Sequence, residues 1–203
     1  MDDGRKLVLI AGGSGAGKTT MAEVVEDEFM DQEVTMLSTD RFYRDFEDPK
    51  EANYDHPDSI DWDLMNSCLN EMMKSGTAEV PRYDFSEHTR DGFEKIDSGK
   101  IIVLEGIFSL MDDNVNEKAS LRIYVDADSD IRFIRRLTRD IEKRGRTKQS
   151  VIEQWLSQVR PMHREFIEPS KRNAHVIVPE DPDGNMREAA RNLLVSRLDD
   201  LVG

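Results

Sequence analysis

Lys6–Thr20 reads KLVLIAGGSGAGKTT. Its apolar opening is short and continuous, the pattern of a strand buried on both faces within a parallel sheet. The glycine-rich remainder fits G-x-x-x-x-G-K-[ST], with Gly12, Gly17, Lys18 and Thr19 at the fixed positions. Glycines let the backbone curl until successive N–H groups face inward, and a helix opening at the loop's end adds its positive dipole end. The stretch Gly12, Gly13, Ser14, Gly15, Ala16, Gly17, Lys18, Thr19 and Thr20 is therefore expected to cradle a polyphosphate. Lys18 would reach the β- and γ-phosphates, and the Thr19 hydroxyl would ligate Mg²⁺.

Outward from this loop, strands and helices alternate. Residues 18–29 place Met21, Val24, Val25 and Phe29 on one helical face. EVTMLSTD (33–40), KIIVLEGIF (100–108), LRIYVDA (121–127) and HVIVP (175–179) read as further buried strands, and a helix is expected from Asp61 to about Lys74, stopped by Gly76. AEVPRYDFSEHTRDGFEKI alternates loosely around a proline, which suits a small β flap (79–98) outside the main sheet. A basic helix spans about 128–144. Ser150 with Glu153, and Asn185 with Glu188, form capping-box patterns for two more helices. In the last of them, Met186, Ala190, Leu193, Leu194, Arg197 and Leu201 form a stripe. The predicted fold class is α/β: a P-loop NTPase-type parallel five-stranded sheet with helices on both faces, a small β flap and an Arg-rich helical lid (128–160), in one domain spanning 1–203.

The chain has 203 residues and a formal net charge of −14. An acidic surface is unsuited to nucleic acid, which needs excess Lys and Arg. No apolar run is long enough to span a bilayer, so a cytoplasmic protein with no membrane partner is expected. Cys68, the single cysteine, cannot form an internal disulfide and sits at helical spacing with Met65, Leu69 and Met72, as a core residue would. Against the acidic background, eight basic residues and two acidic ones lie between Ile131 and Lys148. Such an island suits a small local anion, although an Arg-rich solvated helix has the same composition. Arg132, Arg136, Arg139 and Lys143 recur at helical spacing on one face, while Ile134, Leu137 and Ile141 share another.

Ligands of open α/β sheets lie at the carboxyl ends of the strands. Asp40 ends the second predicted strand and Glu105 the third, so both carboxylates are expected beside the phosphate loop. Phosphoryl transfer to an alcohol needs an acceptor base and acidic help for Mg²⁺. Asp40 suits the first role and Glu105 the Walker-B-like second, with Thr19, Asp40 and Glu105 the candidate metal set. The guanine-reading Asn-Lys-x-Asp segment of switch GTPases is missing, since no Asn is followed by Lys.

GGSGAGKTT, DRFYRD, NYDHPDSID, PRYDFSEHTR, IIVLEGIF, RRLTRDIEKRGR, VRPMHREFIEPSK and HVIVP, in this order and approximate spacing, resemble the uridine kinase family from about Lys6 to Pro179. The resemblance implies phosphorylation of uridine or cytidine at the 5′-hydroxyl, with ATP or GTP as donor and Mg²⁺ as cofactor, by a homo-oligomer (tetramer or dimer). It implies that Asp40 accepts the hydroxyl proton, that Tyr43 and Tyr54 line the nucleoside pocket and that Asp55 binds ribose hydroxyls. Tyr83, Phe85 and His88 would hold the pyrimidine. Arg136, Arg139, Arg144 and Arg146 would clamp the triphosphate and the sugar end, with Arg136 and Arg139 counted as catalytic beside Lys18.

From the residues alone, Asp55 in DHP equally suits a turn opening the helix at Asp61. After IVP the family shows a basic, glycine-bearing turn where this chain reads EDPDGN, which leaves the choice between ATP and GTP open. Two other readings share the loop. A phosphoribulokinase-like kinase of a phosphorylated sugar would use Arg82 and Arg90 near the acceptor, and a non-catalytic regulator would have no use for an acceptor base.

Overall fold

The computed structural model describes residues 4–28, 34–49, 52–85, 87–179, 192 and 195–198. Five strands, β1 (Lys6–Gly12), β2 (Val34–Ser38), β5 (Ile101–Glu105), β6 (Ala119–Asp126) and β7 (Val176–Pro179), form one parallel sheet in the order β2-β5-β1-β6-β7. A second, antiparallel sheet is the hairpin of β3 (Thr77–Asp84) and β4 (Thr89–Asp97), whose register shifts between Pro81 and Tyr83.

Alternation along β1 shows why the run has no polar face. Leu7, Leu9 and Ala11 belong to one core cluster, and Val8 and Ile10 belong to another on the opposite face. Helix α1 (Lys18–Glu28) supplies Met21, Ala22 and Val25 to the second cluster. Helix α2 (Trp62–Ser75) supplies Met65, Cys68, Leu69 and Met72 to the first. Phe29 and, of the expected C-terminal stripe, Met186, Ala190, Leu193, Leu194 and Leu201 lie outside the described residues, as do Asn185, Glu188 and EDPDGN. Leu198 is buried in the second cluster.

The chain runs from β1 to the edge strand β2 and returns with β5 between them. This strand reversal opens a crevice at the carboxyl ends of β1, β5 and β2. Helix α2 is capped as its sequence demands: the Asp61 carboxylate accepts from the Leu64 N–H, and Gly76 closes the helix in left-handed geometry. Helix α3 (Asp113–Lys118) leads into β6, and helix α4 (Ser129–Arg144) follows it.

One local expectation is corrected, and α4 departs from a general rule of helix burial. The helix after α4 takes its cap three residues before Ser150: Thr147 caps α5 (Lys148–Gln154), its hydroxyl accepting from the Ser150 N–H. The apolar face of α4 is also not its buried face. Ile134 is 56% and Ile141 39% exposed, whereas Arg132 and Arg136 are 4% and 7% exposed. Helical amphipathicity predicts the reverse; here the buried side meets polar partners, the Ala127 carbonyl for Arg132 and the Ser14 and Gln154 side chains for Arg136, in place of a hydrocarbon core.

From α5 the backbone stays helical through 173, with wide π-helical turns at Trp155–Val159 and His163–Ile167. Pro161 and Pro169 each follow a wide turn by two residues. A proline inside a helix has no N–H and crowds the carbonyl four residues back, and widening the turn makes room.

Candidate active site

The phosphate loop joins β1 to α1 as the motif requires. Gly15 has φ +82°, and an added Cβ would lie 2.4 Å from the Arg132 carbonyl oxygen, so a side chain is excluded by both strain and space. Arg132 lies against the loop: a Cβ on Gly13 would meet its guanidinium at 2.5 Å, and its Nε donates to the Ala127 carbonyl. Lys18 is buried, and its Nζ donates to the Gly13 carbonyl at 3.2 Å.

Asp40 lies just beyond the end of β2, in a single 3₁₀ turn, Thr39–Phe42, whose N-cap Ser38 accepts from the Asp40 N–H. This is a small departure from its expected place as the strand's last residue. Glu105 ends β5, opposite Ser38 in register. Burial raises the pKa of Asp40, against the opposing pull of Lys18 and a hydrogen bond from Tyr43. Burial likewise raises Glu105, with Lys18 opposing and Asp40 adding to the rise. Lys18 is lowered by burial, with Glu105 and Asp40 opposing. One buried ammonium and two carboxylates thus share a field at the loop.

A cavity of about 1020 Å³ opens over these groups. Ser14, Gly15, Lys18, Thr19, Asp40, Tyr43, Tyr54, Asp55, Tyr83, Phe85, His88, Glu105, Arg136, Arg139, Arg144 and Arg146 all line it. Gly12, Gly13, Ala16, Gly17 and Thr20 do not; the first four belong to the end of β1 and the loop, and Thr20 stands exposed in the first turn of α1. Asp55 is buried, and burial raises its pKa against the pull of Arg136, whose guanidinium lies 3.9 Å away. The DHP turn and the cavity carboxylate coexist: the His56 ring accepts from the Asp58 N–H, Asp61 caps α2, and Asp55 is left to the cavity wall.

At the far end of the cavity the aromatics meet. Tyr43 contacts Tyr54 and Tyr83 edge-to-face, with ring centroids 5.0 and 5.5 Å apart. Tyr83 contacts Phe85, and His88 stacks on Tyr54 at 5.1 Å. His88 has φ +57°, an uncommon conformation for a residue with a side chain.

Sequence reading missed two side chains. Asp140 is fully buried and meets Arg136, Arg139, Arg144 and Arg146 within 4 Å. Gln154 accepts from both Arg136 and Arg146 through its Oε1. The spacing of Asp140, four residues from Arg136 and from Arg144, was the available signal.

The parallel sheet, the glycine loop and the strand-end carboxylates define a P-loop kinase-type fold. A putative fructose transport system kinase from Silicibacter sp. TM1040 superposes with a TM-score of 0.75 at 16% identity, covering 87% of this chain and 91% of that one. Phosphoribulokinase from Rhodobacter sphaeroides superposes with a TM-score of 0.69 at 16% identity, covering 86% and 70%. These likenesses carry the fold alone. Sequence carries more: the phosphoribulokinase/uridine kinase family pattern matches residues 7–187. A protein of Deinococcus deserti named uridine kinase is 45% identical over 198 residues, 95% of this chain and 94% of its own. The chain belongs to the phosphoribulokinase/uridine kinase family.

Proposed function

We propose that this protein transfers the γ-phosphoryl group of ATP to the 5′-hydroxyl of uridine or cytidine. The observation that carries this reading is one cavity, which joins the phosphate loop at Lys18 to the aromatic cluster of Tyr43, Tyr54 and Tyr83, with Asp40 on its wall. A flat base against the aromatics and a triphosphate on the loop leave the sugar alcohol between them. Asp55 holds ribose hydroxyls, and His88 and Phe85 read and cover the base. Asp40 takes the 5′-hydroxyl proton as the oxygen attacks the γ-phosphorus, the bond to the β-phosphate oxygen breaks, and ADP leaves. Lys18 and the arginines offset the charge spread over the transferring group.

The Thr19 hydroxyl with the Asp40 and Glu105 carboxylates is a hard-oxygen set. Mg²⁺ bound with a nucleotide takes only one or two protein carboxylates, so these residues fit it. When bound it neutralises phosphate oxygens. GTP remains the alternative donor, and the protein is read as a cytoplasmic homo-oligomer.

A sugar-phosphate acceptor is disfavoured by the two arginines it would need. Arg90 donates to the Tyr43 carbonyl and the Asp61 carboxylate, and Arg82 to the Asp91 carbonyl, and neither lines the cavity. ADP release measured across nucleosides and sugar phosphates tests the reading. Uridine and cytidine should support turnover and ribulose 5-phosphate should not. Asp40→Asn should bind ATP within a few-fold of the parent yet lose about 100-fold or more in kcat. Turnover of uridine near the parent rate would overturn the role of Asp40.

A further inference from the structure

Four guanidinium groups within a few ångströms of one another repel, and left to themselves they would spread into water. Here they are gathered. Asp140, on α4, lies 2.9 Å from Arg139, 3.5 Å from both Arg136 and Arg144, and 3.6 Å from Arg146. Arg139 also donates through its Nε to Asp140 Oδ1 at 2.9 Å. The arginines come from two segments, the helix itself and the turn past Gly145, and the Arg146 N–H returns to the Asp140 carbonyl. The carboxylate has no access to solvent, whereas Arg139 and Arg144 are 36% and 55% exposed. One oxygen of Asp140, Oδ2, makes only the longer contacts to Arg136 and Arg146 and no hydrogen bond. The Arg136 guanidinium then reaches Ser14 of the phosphate loop at 2.8 Å.

We propose that Asp140 is a positioning residue that aims the arginine fan at the transferring phosphoryl group. An acid inside an anion site competes with the nucleotide for the same donors, so it does not serve ground-state affinity. Its gain is preorganisation: the guanidiniums are held over the loop before the ligand arrives, and need not be collected during reaction. The loose contacts to Oδ2 let Arg136 and Arg146 pass to phosphate oxygens without stranding the carboxylate, because Arg139 keeps its bond. This role rests on the kinase reading.

The test compares Asp140→Asn with Asp140→Glu and the parent. Asp140→Asn should lower kcat about 100-fold, the loss typical when preorganised donors are removed. Its KM for ATP should stay within about threefold of the parent or fall, since a competitor has gone. Asp140→Glu, which keeps the charge, should recover about a tenth or more of the parent rate. A kcat for Asp140→Asn within threefold of the parent overturns the proposal, as does a rise in the KM for ATP that accounts for the whole loss. If that variant does not fold, NMR of the parent decides. The Arg139 Nε–H should exchange slowly without ligand and keep its shift when ADP binds, while the Arg136 side chain shifts. A rapidly exchanging Arg139 Nε–H would overturn the proposal. Uridine turnover by the parent is read in the same series, so failure of the kinase reading is seen separately from failure at Asp140.

Discussion

Individual side chains in this cavity are held in states that water would not favour. Asp55 is 5% exposed, and its desolvation outweighs the attraction of Arg136, so its carboxyl titrates above the ordinary range. A carboxyl whose folded pKa is raised costs stability as pH climbs from its unfolded value through the folded one, and the full cost persists above that. Asp55→Asn should therefore stabilise the ligand-free protein at pH 7, raising the thermal midpoint by about 2–4 °C, while weakening uridine. The difference should vanish below the ordinary aspartate range; calorimetry across pH checks this, and a lower midpoint at pH 7 would contradict it. Stability given up at Asp55 is the exchange expected if this carboxylate holds ribose hydroxyls as proposed. No sequence pattern could reveal it, because the raised pKa comes from what folds around Asp55.

Among the elements, the decisive contact is where β5 ends against the turn carrying Asp40. A Cβ built on Gly106 would stand 1.8 Å from the Thr39 hydroxyl and 2.8 Å from the Thr39 Cβ, and Thr39 is fully buried. Gly106→Ala must push the turn aside. Overpacking of this kind costs about 1–3 kcal/mol, and a displacement of the order of 1 Å at Asp40 should lower kcat about 100-fold. Denaturant unfolding with steady-state kinetics would check both, and unchanged kcat would show that Asp40 does not depend on this contact. The flap hairpin joins the same turn: Arg41 pairs with Glu94, and Arg90 donates to the Tyr43 carbonyl. Element identity was largely readable, since apolar runs, caps and the Gly76 stop have local causes. The start of α5 was not, because Thr147 and Ser150 both offer plausible caps and the bond actually formed depends on the turn before it.

At the scale of the whole molecule, α2 is sealed between the sheet and the hairpin. Cys68 is 4% exposed, its thiol donates to the Glu79 carbonyl, and burial pushes its pKa up to about 11. The native protein should resist thiol alkylation at pH 8 and should label in step with loss of helical signal in urea. Labelling well before that loss would mean that the α2–hairpin layer opens by itself. The sequence by itself determined the parallel sheet, the glycine loop that joins β1 to α1 and the places of Asp40 and Glu105 at the ends of β2 and β5, because each follows from short-range pattern or fixed spacing. Only the tertiary structure decided that α4 buries Arg132 and Arg136 and exposes Ile134 and Ile141. A periodic pattern records that a helix has two faces but not what each will meet, and here one face meets a charged cavity, with Asp140 buried behind the arginines that line it.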